Sequence, residues 1–330
     1  MPDGFPPALL NALAESYYAT LARNTLLLQE LERIVEAFEQ AGIDVIVLKG
    51  AALAQTVYED IGLRPMSDID LLVRQGYLEQ AVRIAQGMGY GEMIPEGQKA
   101  ILAEEVDRHA VFAKDNIALE LHWNIVGGKE DWRTPPLDWV WEQTKPIAVS
   151  GHSGRTLKLS VNILFLSAHQ ALQHGLATGR LLWMHDVYRL LFQRGPDMDW
   201  DGLITMAREL RWGASLRVVL KTVQDWFDYP IPIPVLTRLG QFQSADERQV
   251  RLKRERILTP SEEAWNRLVN TRGRQKIRLF LAHLFPSPEQ MRYRYNPRSR
   301  WLLPLCYPYR WVEKPLDLLK SYLQHRKAAK

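Results

Sequence analysis

An apolar run that ends in Lys49-Gly50 and passes directly into an alanine-rich segment constrains the fold of this 330-residue chain most strongly. The run, Ile43-Asp44-Val45-Ile46-Val47-Leu48, is rich in β-branched residues and predicts a buried strand. Residues 51–60 predict a short helix that ends before Gly62. This order places the free N–H groups of a helix N-terminus beside a strand end, which favours the binding of phosphate.

Two aspartates follow on the next predicted strand, which runs from Ser67 to Val73. Asp68 and Asp70 stand two residues apart, so both carboxylates project from one face of that strand. Neighbouring carboxylates repel each other unless a cation lies between them, and hard oxygen ligands suit Mg²⁺ or Mn²⁺. The pair therefore predicts a metal site, with a solvated strand end as the alternative.

A third acidic residue lies between apolar neighbours in Leu119-Glu120-Leu121-His122-Trp123, the second strand of a predicted hairpin that turns at Asp115-Asn116. An unpaired buried carboxylate is costly, so we expect Glu120 to bind metal or to accept a proton from an attacking hydroxyl. A buried salt bridge to an arginine is the alternative. His122 projects from the same face of this strand as Glu120. We expect it either to line the cleft or to be a hydrogen-bonded structural histidine.

Basic residues accompany the acidic ones. Arg64 precedes Asp68 by four residues, and we expect its guanidinium either to grip a triphosphate or to pair with Asp68. Lys49 is expected to contact phosphate or to extend its stem along apolar surface to water. Asp186 follows an apolar stretch, and we expect it to form a salt bridge between helices. The alternative is that Asp186 lies beside the bound nucleotide.

The chain divides into a mixed half and a helical half. Residues 8–41 carry apolar residues at helical spacing, whereas residues 127–158, with several glycines, prolines and tryptophans, predict a connecting region. Helical periodicity returns at 162–192 and 201–227. The predicted domains are an N-terminal helical segment at 1–42, a catalytic domain at 43–150 and a helical domain with a basic, aromatic tail at 151–330.

Charge is distributed unevenly along the chain. Residues 1–250 carry 23 Lys+Arg against 32 Asp+Glu, a net charge of −9, whereas residues 251–330 carry 19 against 6, a net charge of +13. Arginines alternate with aromatics near the C-terminus, as in Arg292-Tyr293-Arg294-Tyr295. This pattern predicts an anionic partner, either RNA or a membrane surface. The alternative is a strap packed on the protein's own acidic surface.

Composition restricts the class of protein. Cys306 is the single cysteine, which excludes an internal disulfide and a cysteine metal cluster. No apolar run reaches the ~18–20 residues of a membrane span, because charge or proline interrupts each one. The first residues, Met1-Pro2-Asp3-Gly4, lack the features of a signal peptide. We therefore expect a cytoplasmic location and no transmembrane segment.

The spacing of these residues resembles the DNA polymerase β-type nucleotidyltransferase superfamily, and most closely its branch of uncharacterised nucleotidyltransferase family proteins. The shared motif runs Leu48-Lys49-Gly50-Ala51-Ala52-Leu53 and then Arg64-Pro65-Met66-Ser67-Asp68-Ile69-Asp70-Leu71. A weaker resemblance continues through Leu166, His169, His174 and Trp183-Met184-His185-Asp186. The resemblance implies an α+β fold, with a small mixed β-sheet nucleotidyltransferase core followed by a mainly helical C-terminal domain. It also implies Mg²⁺-dependent (or Mn²⁺-dependent) transfer of a nucleoside monophosphate from an NTP to an acceptor hydroxyl, with release of pyrophosphate.

Carried over to this chain, the resemblance makes Asp68, Asp70 and Glu120 the metal-binding and catalytic acids. The residues expected around the NTP are Lys49, Gly50, Ala51, Arg64, Ser67 and His122. Where the superfamily usually has Gly-Ser or Gly-Gly, this chain has Gly50-Ala51, which removes a hydroxyl that often touches phosphate. The acceptor stays open between a small molecule, RNA and a protein, the last two as in toxin-like nucleotidyltransferases. A non-catalytic nucleotide-binding module of the same fold is the remaining alternative.

Overall fold

The computed structural model combines one mixed β-sheet with a helical C-terminal half, which confirms the predicted α+β fold. It describes residues 5–93, 109–126, 134–176, 180–194, 198–241, 245–248, 250–251, 277, 280–281, 284–286, 288–295 and 299–328. Much of the basic segment 251–330 therefore lies outside the described residues. None of the described helices is long and apolar enough to cross a membrane.

Seven strands of the described residues form the sheet. In chain order they are β1 (Val45–Val47), β2 (Asp68–Val73), β3 (Gly91–Glu92), β4 (His109–Lys114), β5 (Ile117–His122), β6 (Thr144–Val149) and β7 (His152–Leu157). Their order across the sheet is β3-β4-β5-β2-β1-β7-β6. The central strand β2 pairs antiparallel with β1 and parallel with β5. Strands β4 and β5 form the predicted hairpin, whose turn residues Asp115 and Asn116 both have positive φ.

Helices surround this sheet and form most of the second half. They are α1 (Pro7–Gln40), α2 (Lys49–Thr56), α3 (Leu78–Gly87), α4 (Leu137–Glu142), α5 (Leu159–Ala168), α6 (Leu181–Arg194), α7 (Trp200–Glu209), α8 (Gly213–Phe227), α9 (Ile233–Gln241), α10 (Pro288–Tyr295) and α11 (Leu303–Ala328). A π-helical turn at His169–His174 continues α5. Helix α1 ends before Gly42, whose φ of +71° is the left-handed conformation that glycine favours at a helix C-terminus.

Two apolar cores lie on opposite faces of the sheet. One core contains α1, α3 and the odd-numbered β2 residues Ile69, Leu71 and Val73. The other contains α5 to α9 and includes Leu72 of β2. Because side chains alternate between the two faces of a strand, Asp70 projects on the same side as Leu72. The predicted acidic face of β2 is therefore directed toward the helical half.

The β6–β7 hairpin extends the sheet past residue 150. Strand β7 pairs parallel with β1, with Arg155 opposite Ile46. The prediction of a connecting region is wrong for residues 134–158, which contain α4, β6 and β7. These strands are polar and hold Pro146 and Gly154, so they lack the apolar alternation that marks a half-buried strand. The predicted division into domains at 150 falls inside this hairpin and stays a prediction.

Candidate active site

Parallel pairing of β2 with β5 brings the acidic residues of the two strands together. Asp70 lies opposite Glu120 in the strand register. His122, two residues further along β5, has its Nε2 2.9 Å from Asp70 Oδ1 and 3.3 Å from Glu120 Oε2. One ligand atom from each of these three side chains lies within 4.8 Å of the others. Two carboxylates and an imidazole at this separation are able to hold one divalent cation.

Lys49 adds a positive charge to this cluster. Its Nζ lies 2.7 Å from Asp70 Oδ1 and 3.5 Å from Glu120 Oε2. Burial opposes the charged form, but the carboxylates outweigh burial and raise the pKa of Lys49 above its ordinary value. The ammonium is therefore directed into the site, and not along an apolar surface to water. Lys49 has φ +44°, a conformation that costs a side-chain-bearing residue about 1–3 kcal/mol and recurs at functional sites.

Asp68 begins β2 and is only partly buried. Burial and the negative charges of Asp70 and Glu120 raise the pKa of Asp68, in opposition to Lys49 and a hydrogen bond from Ser67. Ser67 itself is exposed. Asp68 therefore holds its charge at an energetic cost that a nearby divalent cation would relieve.

Asp70 is the most deeply buried acid of the cluster, with 1% of its surface exposed. Burial opposes its charged form, but Lys49 and the hydrogen bond with His122 outweigh burial and hold the pKa of Asp70 below its ordinary value. Asp70 is thus a carboxylate at neutral pH and lies at the centre of the site. This is the protonation state that metal coordination requires.

We expect Asp68→Asn to raise the free energy of unfolding of the metal-free protein by about 1 kcal/mol at neutral pH. A carboxylate whose pKa is raised by folding destabilises the folded state above that pKa, so the gain disappears as acid protonates Asp68. Urea unfolding at neutral and at acidic pH measures this difference. Added Mg²⁺ should stabilise the wild type more than the variant. A variant less stable than the wild type without metal would contradict the expectation.

The start of α2 is packed against Arg64. Gly50 and Ala51 lie in the first turn of this helix, and both are buried. A Cβ at Gly50 would overlap Nη1 of Arg64, which donates a hydrogen bond of 3.1 Å to the carbonyl of Pro65. Glycine therefore permits the close approach of the guanidinium, which a larger residue would displace. Whether the same backbone also binds phosphate stays a prediction.

The partner of Arg64 is Asp186 of α6. Nη2 lies 2.8 Å from Asp186 Oδ2, and Nε lies 3.2 Å from Oδ1. Tyr58 donates a further hydrogen bond of 2.7 Å to Asp186 Oδ1. The expected alternative, an ion pair with Asp68, is not formed among the described residues. The bridge joins α6 to the loop before β2 and does not connect two helices, because Arg64 lies outside regular helix.

Asn24 of α1 fixes the loop that carries Arg64. Its amide donates hydrogen bonds to the carbonyls of Ile61 and Arg64 at 2.5 and 2.8 Å, and its oxygen accepts from the N–H of Met66 at 3.2 Å. Asn24 is fully buried, one turn before Leu27 on the apolar face of α1. In the sequence, a polar residue on the apolar face of α1 is the signal that indicates this role, because a buried amide requires hydrogen-bond partners from another segment.

The π-helical turn after α5 carries two histidines of a packed group of rings. The rings of His169, His174 and Trp183 pack together, with centroids 4.6 to 5.8 Å apart. Burial and the positive charge of Lys49 hold the pKa of His169 well below its ordinary value, so His169 is neutral. The charges of Lys49 and Asp70 both act on the pKa of this ring. This ring packing is typical of structural histidines.

The model of a family described as uncharacterised nucleotidyltransferase matches residues 2–228. No curated protein matches the chain. The antibiotic-resistance factor ANT(2'')-Ia is similar in structure at 11% identity, over 62% of this chain and 95% of that protein, with a TM-score of 0.41. A nucleotidyltransferase-like antigen from Paracoccidioides brasiliensis is similar at 10% identity, over 67% and 94%, with a TM-score of 0.36. A tRNA nucleotidyltransferase solved with a primer tRNA is similar at 14% identity, over 89% of this chain and 99% of that protein, with a TM-score of 0.22.

Because the family match spans more than half of the chain, this protein belongs to the uncharacterised nucleotidyltransferase family.

Proposed function

We propose that this protein transfers a nucleoside monophosphate from an NTP to an acceptor hydroxyl, with Mg²⁺ or Mn²⁺ held by Asp68, Asp70 and Glu120. The observation that carries the proposal is the β2–β5 register, which sets Asp70 opposite Glu120 on the face that Asp68 shares. The ligand atoms of Asp70, Glu120 and His122 lie within 4.8 Å of one another, and Asp68 begins the same strand as Asp70. Carboxylate oxygens with surplus negative charge match the preference of these cations.

Each side chain of the proposed site has a separate role in the transfer. Bound metal would supply electrostatic stabilisation of the charge on the transferring phosphate. Glu120 is 20% exposed, against 2% for Asp70, so Glu120 is the acid best placed to accept a proton from the acceptor hydroxyl. Lys49 neutralises phosphate charge beside these acids. His122 orients the carboxylate of Asp70 through their hydrogen bond.

In this proposal, the first turn of α2 binds the phosphates of the NTP. No side chain of the described residues caps this N-terminus, so we take the N–H groups of Gly50 and Ala51 as donors to a phosphate oxygen. We propose that these backbone donors replace the hydroxyl that Ala51 lacks. Nε and Nη2 of Arg64 are bound to Asp186, and Nη1 lies against Gly50. Arg64 therefore adds positive charge beside the phosphates through Nη1. Ser67 acts on the metal side through its hydrogen bond to Asp68.

The test supplies each NTP, labelled at the α-phosphate, to the purified protein and a cell extract, with Mg²⁺ or with EDTA and with or without RNase. We expect label to enter a product only when divalent metal is present, because the carboxylates alone repel a triphosphate. RNase-sensitive label indicates an RNA acceptor, whereas label on a small molecule or on a protein indicates those classes. A cytoplasmic extract is the appropriate source, as the single cysteine predicts that location. No labelled product with any NTP would contradict catalysis and favour the non-catalytic nucleotide-binding module.

A further inference from the structure

Large apolar side chains accumulate on the surface near the C-terminus. Of the 23 large hydrophobic residues that are exposed among the described residues, 11 lie between 277 and 316. Trp301 is the extreme case, with 91% of its surface exposed. A concentration of this kind marks an interaction surface, because soluble surfaces rarely carry large continuous apolar patches.

Five of these side chains form one stripe along α11 and the turn that precedes it. The α11 stripe consists of Trp301, Leu305, Tyr309, Val312 and Leu316. Successive members are separated by four, four, three and four residues, which places them on one helix face. The opposite face holds Leu303 and Arg310, which are buried. The helix thus turns its apolar face to solvent and packs through its other side.

Contacts on the packed side fix this orientation. Tyr307 donates a hydrogen bond of 2.8 Å to the carbonyl of Pro286, and Trp311 Nε1 donates one of 2.7 Å to the carbonyl of Leu284. The ring of Trp311 also packs on Phe285 at 5.5 Å. Within the α11 stripe, the ring of Tyr309 packs edge-on against Tyr295 at 5.8 Å and stays 61% exposed.

The sequence that contains the α11 stripe is basic. Residues 299–330 contain seven Lys+Arg against two Asp+Glu, a net charge of +5, within the larger segment 251–330 of net charge +13. An apolar stripe with tryptophan and tyrosine in a basic setting is complementary to an anionic lipid surface. Apolar side chains enter the boundary of the acyl chains, while lysine and arginine meet the headgroups.

We propose that the α11 stripe docks this protein on an anionic lipid surface, with α11 lying in the plane of the membrane. A second copy fits less well, because it would bring together two segments of charge +13, and because Pro308 and Pro315 each remove a backbone hydrogen bond from α11, which disfavours a long coiled coil. RNA fits less well, because aliphatic Leu305 and Val312 lack the flat faces on which bases stack.

The test is co-sedimentation of the full-length protein with vesicles of phosphatidylcholine and phosphatidylglycerol in equal proportion. We expect binding to these vesicles, weaker binding at high salt, and little binding to phosphatidylcholine alone. The double variant Leu305→Ser, Val312→Ser should partition about tenfold more weakly, because two exposed aliphatic side chains no longer enter the lipid. Both residues are more than half exposed, so the fold should be retained, as circular dichroism would verify.

Matched controls separate this proposal from the catalytic one. Trp301→Ser should weaken vesicle binding, whereas Trp226→Ser, at a 51% exposed tryptophan of α8, should not. Asp70→Asn should bind vesicles like the wild type, although we expect its rate of nucleotidyl transfer to be much lower. Equal vesicle binding by the double variant and the wild type would overturn the proposal. Binding of RNA without vesicle binding, or a dimer that the double variant dissociates without vesicle binding, would overturn it as well.

Discussion

Asp70→Asn should lower the rate of nucleotidyl transfer by about a thousandfold or more. Asparagine keeps the shape of aspartate but removes the charge that a divalent cation requires of its ligand. Asp70 is the acid at the centre of the site, bonded to Lys49 at 2.7 Å and to His122 at 2.9 Å, and opposite Glu120 in the strand register. The loss should appear in the rate of transfer at saturating NTP and Mg²⁺, measured from label incorporated into product.

A matched control keeps this result interpretable. Asp138 has 89% of its side chain exposed and pairs with Arg74 at the surface, so Asp138→Asn should transfer nucleotide like the wild type. Thermal unfolding of both variants shows whether the fold is retained. A folded Asp70→Asn protein with the wild-type rate would show that Asp70 is not a metal ligand in the reaction.

Asp186→Ala should cost about 3–5 kcal/mol of stability, because it leaves Arg64 charged and buried without its partner. The two side chains are 7% and 1% exposed, and the bond is bidentate. Tyr58 would lose a hydrogen-bond acceptor at the same time. Because the guanidinium lies against Gly50, we also expect the transfer rate to fall. Equilibrium urea unfolding measures the first effect, and label incorporation measures the second.

The comparison for Asp186 is an exposed pair on another helix. Asp225 has 52% of its side chain exposed and pairs with Lys221 four residues earlier, so Asp225→Ala should cost less than about 0.5 kcal/mol. The double variant Arg64→Met, Asp186→Leu should recover part of the stability, since neither charge then stays buried alone. Equal losses for Asp186→Ala and Asp225→Ala would contradict a buried structural pair.

The amino-acid sequence predicts those elements whose pattern is local. The β-branched run at 43–48 contains β1, and the alternating run at 67–73 contains β2, because each carries its own apolar pattern. The hairpin turn at Asp115-Asn116 is also local, since these residue types tolerate positive φ. The shared face of Asp68 and Asp70 follows from the period of a strand alone.

Contacts between distant segments could not be predicted in the same way. Arg64 and Asp186 are 122 residues apart, and neither carries a local sign of the other. The parallel register of Asp70 and Glu120 depends on how β5 is placed beside β2. The position of Lys49 within the acidic cluster depends on a left-handed residue at the start of α2. Each of these features depends on how the sheet and helices assemble, which a local pattern does not specify.

Binding of Mn²⁺ to the wild type and to Asp70→Asn, followed by electron paramagnetic resonance in the presence of an NTP, tests the proposed active site most directly. Mn²⁺ takes the same oxygen ligands as Mg²⁺ and reports its own coordination. We predict that the wild type removes the signal of free Mn²⁺ and that Asp70→Asn, folded and at equal concentration, does not. Equal binding of Mn²⁺ by both proteins would contradict a metal site at Asp68, Asp70 and Glu120.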